Sequence, residues 1–226
     1  MGIPVLILGE SGSGKSASLR NFEKDKVGIF NVAGKPLPFR KQLPTVNNAT
    51  YESIYKTLAK SKVKTFVIDD SQYLMAFEEL DRAKETGYNK FTEMALNFSG
   101  LVRFIINNLP ADVIVYFLHH IETTETGKVK AKTVGKMIDS KLTLEGLFSI
   151  VLLCEASVDG HHFITQSDGY TTAKSPMEMF DADKIDNDLK AVDDKIREFY
   201  GLAPSMTVKA KASKKKGEDE KDGEKG

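Results

Sequence analysis

The residues whose types and spacing most clearly predict chemistry form a glycine-rich loop near the start of the chain. Residues 9–16 read Gly-Glu-Ser-Gly-Ser-Gly-Lys-Ser and match the pattern G-x-x-x-x-G-K followed by Ser or Thr at every fixed position. In this pattern, backbone amides surround a nucleotide's phosphates, the lysine neutralises the β- and γ-phosphates, and the final hydroxyl binds Mg²⁺. The alternative is a chance turn of glycine and serine. The residues predicted to bind nucleotide are Gly9, Glu10, Ser11, Gly12, Ser13, Gly14, Lys15, Ser16 and Ala17.

A carboxylate for the same Mg²⁺ ion is expected at the end of a neighbouring strand. The apolar run 65–68 is followed directly by Asp69 and Asp70. Asp69 is the predicted Walker B residue, which would hold Mg²⁺ together with Ser16. Asp70 has two interpretations, as a general base that polarises the attacking water or as the N-cap of the next helix.

A third polar position is expected at the end of another core strand, where a side chain can sense the γ-phosphate. Such a strand is followed by His119, His120 and Glu122. Because successive side chains of a strand point to opposite faces, at most one of the two histidines can face the nucleotide. The alternative is that both only form hydrogen bonds at the strand end. A second pair, His161 and His162, falls in a predicted hairpin turn and is expected to be solvated.

The elements that would position these residues alternate along the chain. Apolar runs rich in Val, Ile and Phe, without a period of two, predict buried parallel strands. These runs cover residues 3–8, 27–32, 65–68, 113–118 and 148–154. Helical composition is found at residues 16–24, 51–60, 72–85 and 91–108. The alternation predicts an α/β fold with a mainly parallel central sheet and helices on both faces.

Three further segments complete the expected layout. Pro36 and Pro38 predict an extended surface loop over residues 34–48. Gly160 separates two short runs after the last parallel strand and predicts a C-terminal antiparallel hairpin. A closing helix is expected over residues 188–200.

Composition predicts one globular domain with a charged tail. The 226 residues are 41% hydrophobic, and no apolar run approaches the roughly 20 residues of a membrane-spanning helix. No basic leader of a signal peptide precedes the first strand, so a cytoplasmic location is expected. We assign residues 1–204 to the domain and residues 205–226 to a disordered tail, which lacks the apolar side chains to form a core. The single cysteine, Cys154, is expected to be buried and inert.

Contact with nucleic acid would have to come from a local cluster of charge, because Lys+Arg and Asp+Glu each number 32. A cluster follows the histidine-bearing strand and consists of Lys128, Lys130, Lys132 and Lys136. Lysines bind phosphates as point charges without reading sequence, so this cluster is a candidate DNA-binding loop. The alternating lysines could equally be the solvent-facing side of a hairpin.

The order of the motifs resembles that of phage RecA-like ATPases, including the RecA-like group of Sak single-strand annealing proteins. The resemblance covers about residues 3–180, through the glycine-rich loop, Phe-Val-Ile-Asp-Asp-Ser, Val-Tyr-Phe-Leu-His-His, Gly-Lys-Met and Thr-Ala-Lys-Ser-Pro. It implies a RecA-like P-loop fold, ATP and Mg²⁺ as ligands, and ATP hydrolysis in DNA recombination or single-strand annealing. It also implies a ring or filament of identical subunits in the host cytoplasm, with a single-strand DNA-binding protein as a further candidate partner.

The resemblance assigns roles to individual residues as well. It gives Lys15 and Ser16 the phosphate and Mg²⁺ roles and Asp69 the Walker B role, with His120 or His119 as the strand-end sensor. The same resemblance makes Lys174 a candidate cation acting on the nucleotide of a neighbouring subunit.

One departure from the RecA pattern bears on hydrolysis. RecA carries a catalytic glutamate just after its second strand, whereas residues 30–35 read Phe-Asn-Val-Ala-Gly-Lys. Either another acid such as Asp70 or Glu122 serves as the base, or hydrolysis is slow. Two rival functions therefore stay open, a small-molecule or nucleotide kinase and a nucleotide-gated oligomeric scaffold that hydrolyses little ATP.

Overall fold

In the computed structural model, which describes residues 1–134 and 143–203, a mixed sheet of nine strands forms the centre of the chain. Lys136, the Gly-Lys-Met motif and the proposed tail lie outside the described residues. The sheet order is β3-β2-β4-β5-β1-β7-β8-β9, and β6 pairs with the end of β5. The strands are β1 (Ile3–Gly9), β2 (Val27–Asn31), β3 (Thr45–Asn47), β4 (Thr65–Asp69), β5 (Ile114–Thr123), β6 (Val129–Ala131), β7 (Ile150–Ser157), β8 (Gly160–Ile164) and β9 (Lys184–Asp186).

Helices cover both faces of the sheet, as the sequence predicts. They are α1 (Tyr51–Leu58), α2 (Gln72–Asp81), α3 (Asn89–Asn108) and α4 (Leu189–Phe199), with short 3₁₀ helices at Ser16–Asn21 and Leu144–Leu147. Helices α1, α2 and α3 share one apolar cluster with one face of the sheet, whereas α4 and the first 3₁₀ helix share another cluster with the opposite face. The expected α/β architecture is thereby confirmed.

The parallel strands are buried apolar runs that end together. All five residues of β4 are buried, and β1 is buried from Pro4 onward. Strands β3, β2, β4, β5, β1 and β7 pair in parallel, so their carboxyl ends meet at one edge of the sheet. The register sets Gly9 beside His120 and Asn31 beside Asp69. The topology therefore collects the candidate residues at that edge.

Several boundaries differ from those that the sequence predicts. The α-helix expected over residues 16–24 is a six-residue 3₁₀ helix, in which the Ser18 hydroxyl donates to the carbonyl of Lys15 and so competes with regular helical bonding. The loop expected over residues 34–48 contains β3, a three-residue edge strand without an apolar run. Strand β5 continues past Leu118 to Thr123, because β6 supplies hydrogen bonds to its extension.

The C-terminal hairpin and the closing helix are both confirmed. Strands β7 and β8 pair antiparallel, and Gly160 takes a φ of 114°, in the left-handed region that favours glycine. Helix α4 begins after Asp188, whose carboxylate accepts from the amides of Lys190 and Ala191. Within the described ranges, no helix combines the length and the apolar character needed to cross a membrane.

Candidate functional site

The glycine-rich loop, residues 9–16, connects β1 to the first 3₁₀ helix in a conformation that depends on its glycines. Gly14 has a φ of 102°, and a Cβ added there would come within 2.9 Å of the His161 ring. A Cβ at Gly9 would come within 2.7 Å of the Cys154 carbonyl oxygen. Both positions therefore require glycine, for a left-handed backbone in one case and a close approach in the other.

Lys15 folds back along the loop. Its side chain is 5% exposed, and Nζ donates to the carbonyl oxygens of Gly9 and Glu10, each at 2.7 Å. Burial lowers the pKa of this ammonium below its ordinary value. A cation bonded only to neutral carbonyls can exchange them for anionic phosphate oxygens, which form stronger charge-assisted hydrogen bonds.

Ser16 and Asp69 meet as the magnesium hypothesis requires. The Ser16 hydroxyl donates to Oδ1 of Asp69 at 2.8 Å, and burial raises the pKa of Asp69 to about 6. In residues 1–134 and 143–203, no group of three or more His, Cys, Asp or Glu side chains is placed to hold a metal ion. A Mg²⁺ ion bound at this pair would therefore take its other ligands from phosphate oxygens and water, which is its usual mode in nucleotide sites.

Asp70 lies at the centre of a charged cluster rather than at a helix cap. Its Oδ2 is 2.7 Å from Nζ of Lys35, and its Oδ1 is 3.2 Å from Nε2 of His120. Burial raises the pKa of Asp70, but hydrogen bonds from His120 and Lys35 outweigh burial and hold it at about 2. Helix α2 begins after Ser71 with no side-chain cap. The N-cap interpretation is wrong, and the role of general base stays a prediction.

The two strand-end histidines face opposite ways, as strand geometry predicts. His120 turns to Asp70 and packs its ring edge against Tyr73, with centroids 5.7 Å apart. His119 is fully buried, where its Nε2 donates to the Lys132 carbonyl at 2.8 Å and its Nδ1 bonds the Ser71 hydroxyl at 2.9 Å. Only His120 is placed to sense a ligand in the site.

We expect His119 to contribute a loss of stability as the pH is lowered from about 6.5 to about 4, opposed in part by Asp69, whose raised pKa of about 6 favours the folded state in acid. Burial lowers the pKa of His119 to about 4, whereas a histidine in the unfolded chain titrates near 6.5. Between these values the unfolded chain binds the proton and the folded protein does not, so acid favours unfolding by up to about 1.4 kcal/mol per pH unit. Urea unfolding across this window measures the loss. The slope of stability against pH should be lower in His119→Gln than in the wild type, which retains the same contribution from Asp69, and an unchanged slope in that variant would contradict the assignment.

A cavity of about 300 Å³ lies between these groups at the carboxyl edge of the sheet. Most of its lining was predicted from the sequence. The lining residues are Ser11, Gly12, Gly14, Lys15, Ser16, Ala17, Lys35, Pro36, Pro38, Asp69, Asp70, His120 and His161. Glu10 and Ser13 instead line a second cavity, of about 480 Å³, which Ser11 and Gly12 of the loop also border.

Four of the lining residues, Lys35, Pro36, Pro38 and His161, were not assigned to the site by the sequence analysis, and two of these carry polar side chains. His161 is exposed, as expected, but its Nδ1 also donates to the Ser13 carbonyl oxygen at 2.8 Å, a contact that was not predicted. The β7–β8 hairpin reaches the loop because β7 pairs with β1, a long-range pairing that no local pattern reveals. Lys35 could have been found from its place after β2, where the sequence Gly-Lys-Pro fixes an exposed turn. The second histidine of the pair, His162, is half-buried rather than solvated.

The remaining candidates lie away from this cavity. Glu122 pairs with Lys130 across the β5–β6 hairpin, with Nζ and Oε1 2.9 Å apart. The prediction that the alternating lysines lie on a hairpin is therefore confirmed, and DNA binding by these lysines stays a prediction. Lys174 forms an antiparallel bridge with Val151 through two backbone hydrogen bonds of 2.8 Å. Neither Glu122 nor Lys174 lines the cavity.

Cys154 is buried as expected. Burial raises the pKa of its thiol to about 11, which keeps the sulfur protonated. Its Sγ lies 3.1 Å from the Ser13 carbonyl oxygen, beneath the glycine-rich loop.

Comparison with known proteins adds no family assignment: no protein-family model matches the chain, and no significant match is found among curated proteins. The site itself consists of an ammonium, a hydroxyl–carboxylate pair and a carboxylate–histidine pair around one cavity. This arrangement can bind a polyanion together with a hard divalent cation.

Proposed function

We propose that this chain is an ATP-binding, RecA-like P-loop ATPase whose nucleotide state controls the binding or annealing of single-stranded DNA. One observation carries the nucleotide part: Lys15, Ser16 and Asp69 converge at the carboxyl ends of β1 and β4, around one cavity. In parallel α/β sheets this edge is where ligands bind. In the proposal, Lys15 neutralises the phosphates, while Ser16 and Asp69 hold Mg²⁺.

Hydrolysis would use Asp70 as the base. In that step, a water oxygen attacks the γ-phosphorus, the bond to the β–γ bridging oxygen breaks, ADP leaves, and the water proton passes to the carboxylate. The low pKa of Asp70, about 2, makes it a weak base and favours slow turnover. Asp70 would therefore replace only in part the glutamate that RecA carries after its second strand.

The link to DNA rests on the β5–β6 hairpin. The backbone amide of Lys132 donates to the His120 carbonyl at 2.9 Å, and the Lys132 carbonyl accepts from His119. Movement of His120 in response to the γ-phosphate would therefore shift the backbone that bears Lys128, Lys130 and Lys132. In switching proteins, a nucleotide state reaches a distant surface through an element with two arrangements, and the β5–β6 hairpin would have that role in the proposal.

The nucleotide and DNA parts are tested together by measuring ATP turnover with and without single-stranded DNA. Release of inorganic phosphate that DNA accelerates supports the proposal. Transfer of labelled phosphate to a nucleoside would favour the kinase instead. The kinase is disfavoured because, within the parts of the chain that the structure describes, no arginine lines the cavity to close over a transferred phosphoryl group.

A nucleotide-gated scaffold is the second candidate, favoured by the missing glutamate after β2 and by the Lys35–Asp70 ion pair, which engages the carboxylate that hydrolysis would use. Assembly into a ring or filament is proposed for both candidates. Large apolar side chains are exposed on or beside α2 and α3, which supports a subunit interface there. They are Phe77, Leu80, Tyr88 and Leu96. Light scattering with ATP and with ADP, alongside turnover, separates a slow ATPase from a scaffold.

We expect DNA affinity to fall steeply with salt and to weaken when Lys128, Lys130 and Lys132 are all changed to alanine. Each lysine that neutralises a phosphate releases counterions, so losing three should reduce the slope of log K against log salt by about 2 for a single strand. Fluorescence anisotropy with a labelled oligonucleotide measures both effects. The matched control replaces the exposed lysines Lys56, Lys60 and Lys62. Equal losses in the two triple variants would contradict the hairpin assignment.

A further inference from the structure

We propose that Lys35 binds the γ-phosphate and thereby makes the site prefer a nucleoside triphosphate over a diphosphate. Its turn follows β2, at the carboxyl edge of the sheet, and its side chain lines the same cavity as Lys15 and Asp69. This inference rests on the proposed nucleotide site and adds to it a discriminating residue.

The backbone of Lys35 is held in place from both sides. Gly34 has a φ of 68°, and a Cβ there would clash with the Asn48 side chain. Pro36 disfavours a helical conformation at Lys35. The buried Asn31 side chain donates to the Lys35 carbonyl at 2.6 Å. These contacts fix the backbone from which the Lys35 side chain extends.

The ammonium of Lys35 is aimed at the cavity by two contacts. Nζ is 2.7 Å from Oδ2 of Asp70 and 5.3 Å from the centre of the Tyr73 ring. Asp70 itself sits at a φ of 60°, in the left-handed region that costs energy for an aspartate. Strain of this kind persists where the surroundings hold a side chain in a required direction.

The Lys35–Asp70 ion pair allows the lysine to exchange the carboxylate for a phosphate. The lysine side chain is 60% exposed while the aspartate side chain is 12% exposed, so Lys35 has more room to change its position than Asp70. A γ-phosphate carries more charge than a carboxylate and offers more acceptor oxygens, so it competes for the ammonium. Once Lys35 turns to the phosphate, Asp70 keeps His120 as its partner and has a free Oδ2. The same event would thus recognise the triphosphate and expose the proposed base.

The test compares affinities for the β,γ-imido analogue of ATP and for ADP, both with Mg²⁺, by calorimetry on the full chain. In Lys35→Ala we expect the analogue to bind about tenfold more weakly, a loss of about 1.4 kcal/mol, and ADP affinity to change less than about twofold. Lys41→Ala is the control: it lies in the same loop, its Nζ donates to the Phe22 carbonyl at 2.9 Å, and it does not line the cavity. Both affinities should stay unchanged in that variant.

A second variant tests the exchange itself. In Asp70→Asn the lysine no longer has to leave a carboxylate, so the ratio of analogue to ADP affinity should rise. In Lys35→Ala/Asp70→Asn the ratio should return to the level of Lys35→Ala. Equal loss of both ligands in Lys35→Ala, no loss of either, or no rise in Asp70→Asn would overturn the inference. Wild-type protein that binds neither ligand would instead overturn the proposed function, so the two failures are distinguishable.

Discussion

Replacing Lys15 with alanine is expected to abolish ATP turnover and to leave the fold intact. The Lys15 ammonium is the only cation that the structure, within its described ranges, places on the carbonyls of the glycine-rich loop. Removal of one preorganised electrostatic contact to a transferring group costs about a hundredfold to a thousandfold in rate. In the proposed site the same group also holds the triphosphate, so we expect turnover below detection.

The fold should survive Lys15→Ala because the side chain forms no ion pair that would leave a buried carboxylate behind. Its two acceptors are the uncharged carbonyls of Gly9 and Glu10, and Glu10 borders a cavity that water can enter. Phosphate release measures the activity, and the thermal unfolding midpoint measures the fold. Lys60→Ala, on an exposed turn away from the site, is the control and should keep both values. Unchanged turnover in Lys15→Ala, with the melting curve intact, would remove the assignment of the site.

Much of the fold was predictable because buried parallel strands leave a signal in local composition. The runs that became β1, β2, β4, β5 and β7 are almost wholly apolar and end at turn residues, so their positions could be read directly. Strand β3 has two exposed residues of three, and nothing in its composition distinguishes it from loop. Its strand geometry comes from pairing with β2, which is a tertiary effect.

Some residues of the candidate site could likewise be predicted from the sequence, and others could not. Residues in the motif and at strand ends, such as Ser16, Asp69 and His120, were predicted because a parallel sheet brings its carboxyl ends together. The contact of His161 with Ser13 was not predicted because it depends on β8, which lies two strands away from β1 in the sheet. The sequence left Asp70 with two interpretations, general base and N-cap, because its ion pair with Lys35 forms between two separate loops and leaves no local signal. Residues whose position is set by one strand or motif could be predicted from the sequence, whereas contacts between two loops could not.

Replacing Arg197 with alanine is expected to destabilise the protein by about 3–5 kcal/mol, the range for breaking a buried ion pair. Arg197 and Asp193 are 2% and 1% exposed, and Nε of the arginine donates to the carboxylate at 2.8 Å. The guanidinium also donates to Oγ1 of Thr65 at 2.8 Å and to the backbone carbonyls that precede β4 and β5. Without it, the partners left to the buried Asp193 carboxylate among residues 1–134 and 143–203 would be the hydroxyls of Tyr116 and Thr65.

The loss should be separable from any effect on the site, because Arg197 contacts the amino-terminal edge of the sheet and the cavity lies at the carboxyl edge. Urea unfolding measures the stability. Lys195→Ala on the same helix is the control: its partners Asp181 and Glu198 are exposed and 3.5 Å away, so about 0–1 kcal/mol is expected. In Asp193→Ala/Arg197→Ala the loss should be smaller than the sum of the single variants, because each charge is costly mainly when the other is gone. An additive double variant, or an Arg197→Ala protein as stable as Lys195→Ala, would show that α4 is held by its apolar face alone. Turnover per folded molecule should stay unchanged throughout, since none of these side chains lines the cavity.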